Sequence, residues 1–119
     1  MHVAATQRAA AEEARENLTY FVRRHVELMR AGLGRADTGP AERRAARASQ
    51  IAELSYEEIL ATRAVVGTAA RVAERLVRLR DDLGLSGIIA ELNPGGLLPF
   101  PLMQRTLAAL GGEIAPALR

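Results

Sequence analysis

Hydrophobic positions in the first third of the chain recur with a helical period. After Thr6, a residue suited to cap a helix, Ala14, Leu18, Phe21, Val22, His25 and Leu28 fall on one stripe. This predicts an amphipathic helix stopped by Gly32 and Gly34. Residues 32–40 have loop composition, and Pro40 is placed to open a second helix. That run, Ala41 to Leu54, is rich in Ala and Arg and offers a weak packing face. Ser55 and Glu58 form a capping-box signature, so a short helix is expected to end near Thr62.

The pattern then shortens. Ala64-Val65-Val66-Gly67 is a β-branched run closed by glycine, and Thr68 follows as a cap. The next helix carries Val72, Leu76, Leu79 and Leu83 inward and ends at Gly84. Gly87 to Leu92 reads as a strand buried on both faces. About 20 residues separate Val66 from Ile88, which suits a strand–helix–strand crossover with parallel strands. Residues 2–5, His-Val-Ala-Ala, are a further strand, and Pro101 to Leu118 the last helix. Gly111 and Gly112 each weaken that helix by about 1 kcal/mol relative to alanine. The predicted class is α/β. Three parallel strands alone leave a bare sheet face and two open edges, which points to part of a larger sheet.

Composition narrows the picture. The 119 residues suit one domain, 49% are hydrophobic, and cysteine is absent, which removes disulfides, thiolate catalysis and zinc–thiolate sites. All 16 basic residues are arginine, yet 14 acidic residues leave a net charge of +2, so nucleic acid is not the expected partner. The densest basic group, Arg43, Arg44 and Arg47, has no interleaved aromatics and reads as a solvated face. Glu12, Glu13 and Glu16 stand where a signal peptide would be apolar, and no apolar run approaches the roughly 18 residues of a membrane span. A cytoplasmic protein without membrane contact is expected. The glycosylation sequon Asn17-Leu18-Thr19 is read as chance.

Candidate chemistry is sparse. His2 and His25 are the only histidines; neither has a ligand partner at metal-binding spacing, and no metal site is expected. Gly32-Leu33-Gly34 begins like a dinucleotide fingerprint but follows a helix and lacks the third glycine. Leu85-Ser86-Gly87 lacks the first glycine and the preceding strand of a nucleophile elbow. No residue presents itself as a catalytic acid, base or nucleophile.

From Ala61 to Arg119 the sequence resembles the C-terminal end of bacterial-luciferase-like flavin-dependent monooxygenases. Val65-Val66-Gly67-Thr68 matches a strand leading into a helix, Asn93 to Gly96 the loop after the last strand, and Glu113-Ile114-Ala115-Pro116 the end of the last helix. Ala69-Ala70 departs from the family, which often has proline and an acidic residue there. The resemblance implies an incomplete (β/α)8 TIM barrel, with strand six at residues 2–5, strand seven at 64–66 and strand eight at 87–92. Residues 1–55 would be strand six plus a helical insertion, and 56–119 the last two βα units. Strands one to five are not in this sequence. The chain is therefore expected to be inactive alone and to retain neither FMN nor a deazaflavin. Its expected partner is an upstream barrel segment or another copy.

In such a barrel the active site lies at the C-terminal ends of the strands. Glu91 and Asn93 are the polar candidates for its mouth, with Thr6 and Thr68 at the matching strand ends. Gly95 and Gly96 would let the loop fold over the mouth, or serve only a βα turn. The oxygen chemistry would belong to the reduced flavin. Two rival readings are a noncatalytic helical interaction module, which predicts little strand and autonomous folding, and a basic nucleic-acid binder.

Overall fold

A computed structural model describes residues 1–32 and 40–119; most of the loop expected at 32–40, with Gly34 in it, lies outside them. The predicted first helix forms as α1, Gln7–Gly32. The Thr6 hydroxyl accepts a hydrogen bond from the Ala9 amide at 3.1 Å, satisfying a free donor of the first turn. The inward stripe of α1 consists of Ala10, Ala14, Leu18 and Val26. His25 and Leu28, expected inward, are exposed. The second helix, α2, spans Pro40–Ala52 and buries Ala48 and Ile51.

The helix α3, Tyr56–Thr62, carries the complete capping box. Glu58 accepts from the Ser55 amide at 2.7 Å while its own amide donates to the Ser55 hydroxyl at 3.2 Å. Thr68 caps α4, Ala69–Leu83, which ends in left-handed Gly84 at φ 63°. Val72 and Leu76 are buried, but Leu83 in the last turn is 65% exposed rather than inward. The last predicted helix is interrupted. Helix α5, Phe100–Ala109, passes into a π-helical turn, Leu110–Ile114, and then α6, Ala115–Ala117. Gly111 and Gly112 lie within that wider turn.

The strands are shorter and fewer than expected. Among the described residues only β1, His2–Val3, and β2, Val66–Gly67, pair. They are parallel, with His2 opposite Val66 and Val3 opposite Gly67. Residues 87–92 form no strand. The physical reason lies at the sheet edges. On the outer side of β2 the Val66 carbonyl accepts from Gln7 Nε2 at 3.1 Å, and the outer side of β1 is held by side chains of α5. A strand at 87–92 would have to displace these side chains to join either edge, and Ile89, expected to be buried, is 99% exposed.

The barrel reading of the fold is overturned by this arrangement. The chain is a small, mostly helical domain with two short parallel strands, not strands six to eight of a TIM barrel. The expected bare sheet face is also missing, because each face has its own core. One cluster joins Ala4, Ala10, Ala14, Leu18, Tyr56, Ile59, Ala64 and Val66. The other joins Val3, Val72, Leu76, Ala109 and Ile114. Ile114 is 0% exposed, and full burial of such a side chain contributes roughly 1.5–3 kcal/mol.

Candidate functional site

Five of the six sequence-predicted site residues serve local structure. Thr6 and Thr68 cap α1 and α4. Asn93 folds its own loop: Oδ1 accepts from the Leu98 amide at 3.0 Å and Nδ2 donates to the Leu98 carbonyl at 3.4 Å. The Gly96 amide donates to the Asn93 carbonyl at 3.0 Å, with Gly96 at φ 73°. Gly95 lies so close to α1 that a Cβ there would collide with the Asn17 backbone carbonyl and sit 2.7 Å from its Oδ1. That Oδ1 accepts from the Leu97 amide at 3.0 Å. The Asn-Pro-Gly-Gly loop is thus a clasp on α1, not a flap over an opening. Asn17 is 2% exposed, consistent with a sequon that is accidental.

Glu91 differs from the other five. Its carbonyl accepts from the Met1 ammonium at 2.6 Å, and burial pulls that ammonium below the usual range for an α-amino group although the Glu91 charge opposes the shift. Met1 precedes β1, whereas Thr68 follows β2, so Glu91 and Thr68 lie at opposite ends of the strand pair. Asn93, Gly95 and Gly96 are held in the clasp. Glu91 lines one surface groove and Thr68 another, so these residues do not converge on one cavity.

A buried polar cluster escaped the sequence reading. His2 is 2% exposed, with Nε2 2.6 Å from Glu13 Oε2 and Nδ1 3.4 Å from Thr106 Oγ1. Arg105 bonds the same Glu13 oxygen and donates through Nε to the Val3 carbonyl at 3.0 Å. Thr106, 1% exposed, accepts from the Val3 amide at 3.1 Å. The hydroxyl, imidazole and carboxylate lie in the order of a nucleophile, base and orienting acid. The hydroxyl is sealed from solvent and already engaged, so the cluster ties β1, α1 and α5 together instead of attacking a substrate. No sequence spacing announces it, since Glu13 and Arg105 are 92 residues apart.

The described surface includes a mainly apolar groove. With a volume of about 300 Å³, it runs between the two core clusters, walled by Leu18, Val22, Leu76 and Leu79 and roofed by Ile88 and Ile89. Along the roof and beyond it, Leu85, Ile88, Ile89, Leu97 and Phe100 are exposed. Arg43, Arg44 and Arg47 are exposed on α2. Among the described residues no group of three or more His, Asp or Glu is placed to hold a metal ion, and no helix is long and apolar enough to cross a membrane. Comparison with protein-family models, curated proteins and solved structures finds no match for this chain.

Proposed function

We propose that this chain is a helical interaction module that docks on a second polypeptide and performs no chemistry of its own. The carrying observation is the exposed apolar strip of Leu85, Ile88 and Ile89 along one groove, in which Ile89 is 99% exposed. Scattered apolar side chains are ordinary on a surface, but several lining one apolar groove, as Leu85, Ile88 and Ile89 do, mark a contact region. Residues 87–92 lie outside any helix or strand, and of their backbone groups the Glu91 carbonyl is already taken by the Met1 ammonium.

The resemblance to flavin-dependent monooxygenases supplies the partner's chemistry. The partner in this reading is the remaining portion of a flavin-dependent oxidoreductase, which brings FMN or a deazaflavin. Two features favour it: the parallel pairing of residues 2–3 with 66–67, and the Val-Gly-Thr turn into a capped helix. Equilibrium dialysis against FMN tests it, with the chain alone and then mixed with a polypeptide carrying the family's upstream portion. The chain alone should retain no FMN, and the mixture should form a complex that does. Tight FMN binding by the 119-residue chain as a monomer would overturn the proposal, as would failure of the two polypeptides to associate.

A further inference from the structure

The outward-facing backbone groups of a sheet edge are ordinarily open to water or to another strand. On the β1 edge of this chain, at Val3, both the amide and the carbonyl are closed by side chains. Alternation along β1 turns His2 and Ala4 toward β2, where their amides donate to the Val65 and Gly67 carbonyls, both at 3.1 Å. Val3 therefore faces away. Its amide donates to Thr106 Oγ1 at 3.1 Å and its carbonyl accepts from Arg105 Nε at 3.0 Å. Two consecutive residues of α5 thus supply one acceptor and one donor, which is what a neighbouring strand would supply. On the other edge Gln7 Nε2 takes the Val66 carbonyl.

We propose that Arg105 and Thr106 are an edge guard: they occupy the ladder positions of Val3 so that no strand can add to β1 while α5 is docked. The guard is held in register by the cluster behind it. Glu13 fixes the Arg105 guanidinium from α1, and the His2 ring stands 3.4 Å from the Thr106 hydroxyl. This inference does not depend on the docking strip or on a flavin partner, because Val3, Arg105 and Thr106 do not line the groove.

The test uses the full chain. Thr106→Val keeps the shape but removes the acceptor for the Val3 amide, and Arg105→Lys keeps a positive charge near Glu13 but removes the planar Nε donor. Amide exchange is followed at Val3 and, as a control for the global fold, at Val72 and Leu76 in α4. The wild-type Val3 amide should exchange at least tenfold more slowly than an open edge amide. Thr106→Val should erase that protection while leaving α4 unchanged, and a mixed-labelled sample should then show contacts between Val3 of two copies. Where Thr106→Val lowers α4 protection as well, Arg105→Lys decides, and it too should bring Val3 of two copies into contact. Free exchange of wild-type Val3 would overturn the guard. So would a folded variant in which the β1 edge remains unpaired by any second copy up to millimolar concentration.

Discussion

Gly95 and Gly96 are adjacent and need to be glycine for different reasons. Gly95 needs space, because a Cβ would run into the Asn17 carbonyl of a rigid helix. Gly96 needs the left-handed conformation at φ 73° but has nothing near its missing Cβ. Gly95→Ala should cost roughly 1–3 kcal/mol, the range for forcing a methyl into a packed site. Gly96→Ala should cost about 1–2 kcal/mol, the penalty of the left-handed region for an L-residue. Gly87→Ala, with open space and no positive φ, should fall within about 0.5 kcal/mol of wild type. Urea titration of the three variants checks the order, and equal effects at 87 and 95 would contradict the clasp. At the same scale, burial pushes the Glu13 carboxyl up, but the hydrogen bonds from His2 and Arg105 and their charge outweigh it and hold the carboxyl below the usual range. A lowered carboxyl stabilises the fold above its unfolded value, near about 4.3, and this contribution is lost as pH falls through the lower folded value. Glu13→Gln should therefore be less stable than wild type near neutral pH, with the gap closing as the medium is acidified below about pH 4. Urea midpoints measured across that range provide the check, and a gap that is unchanged in acid would show that the carboxylate charge is not what matters.

Element by element, the legible parts were those with a local cause. Thr6, Ser55 with Glu58, Thr68 and Gly84 act within one turn of chain, and the helices they bound stand where the sequence places them. Residues 87–92 form no strand because a strand needs a ladder, and Arg105 and Thr106 hold the β1 edge while Gln7 holds the Val66 carbonyl on the β2 edge. The sequence distances from Val66 to Gln7 and from Val3 to Arg105, 59 and 102 residues, put that competition beyond any periodicity. For the same reason the His2 cluster was invisible, whereas the loop at 93–96 was visible as a loop but not as a clasp. The π turn was marked by Gly111-Gly112, although the pair suggested only a weak helix. Neither glycine has positive φ or any atom near its missing Cβ. Gly111→Ala and Gly112→Ala should therefore each stabilise the chain by about 0.4–1 kcal/mol through the unfolded state. A loss of stability in thermal or urea unfolding would mean that the turn itself requires glycine.

At the scale of the molecule, shape and core agree. The radius of gyration is 16.0 Å over extents of 48 × 32 × 21 Å, against roughly 13.5 Å for a compact domain of this length. An elongated body has more surface to cover, and its core is divided into two clusters with the apolar groove between them. Ile89, on the groove's roof, is 99% exposed. A side chain so exposed adds almost nothing to folding, so Ile89→Glu should leave stability within about 0.5 kcal/mol of wild type. Its effect should appear in association, because a charge would have to be desolvated wherever the strip is covered. Light scattering over a concentration series should show wild type associating as concentration rises, more so in sulfate, which strengthens apolar burial. Ile89→Glu should remain monomeric. Leu107, 58% exposed on α5 but not a wall of the groove, supplies the comparison. If Leu107→Glu dissociates the chain as effectively as Ile89→Glu, association is a property of the general surface and the strip has no special role.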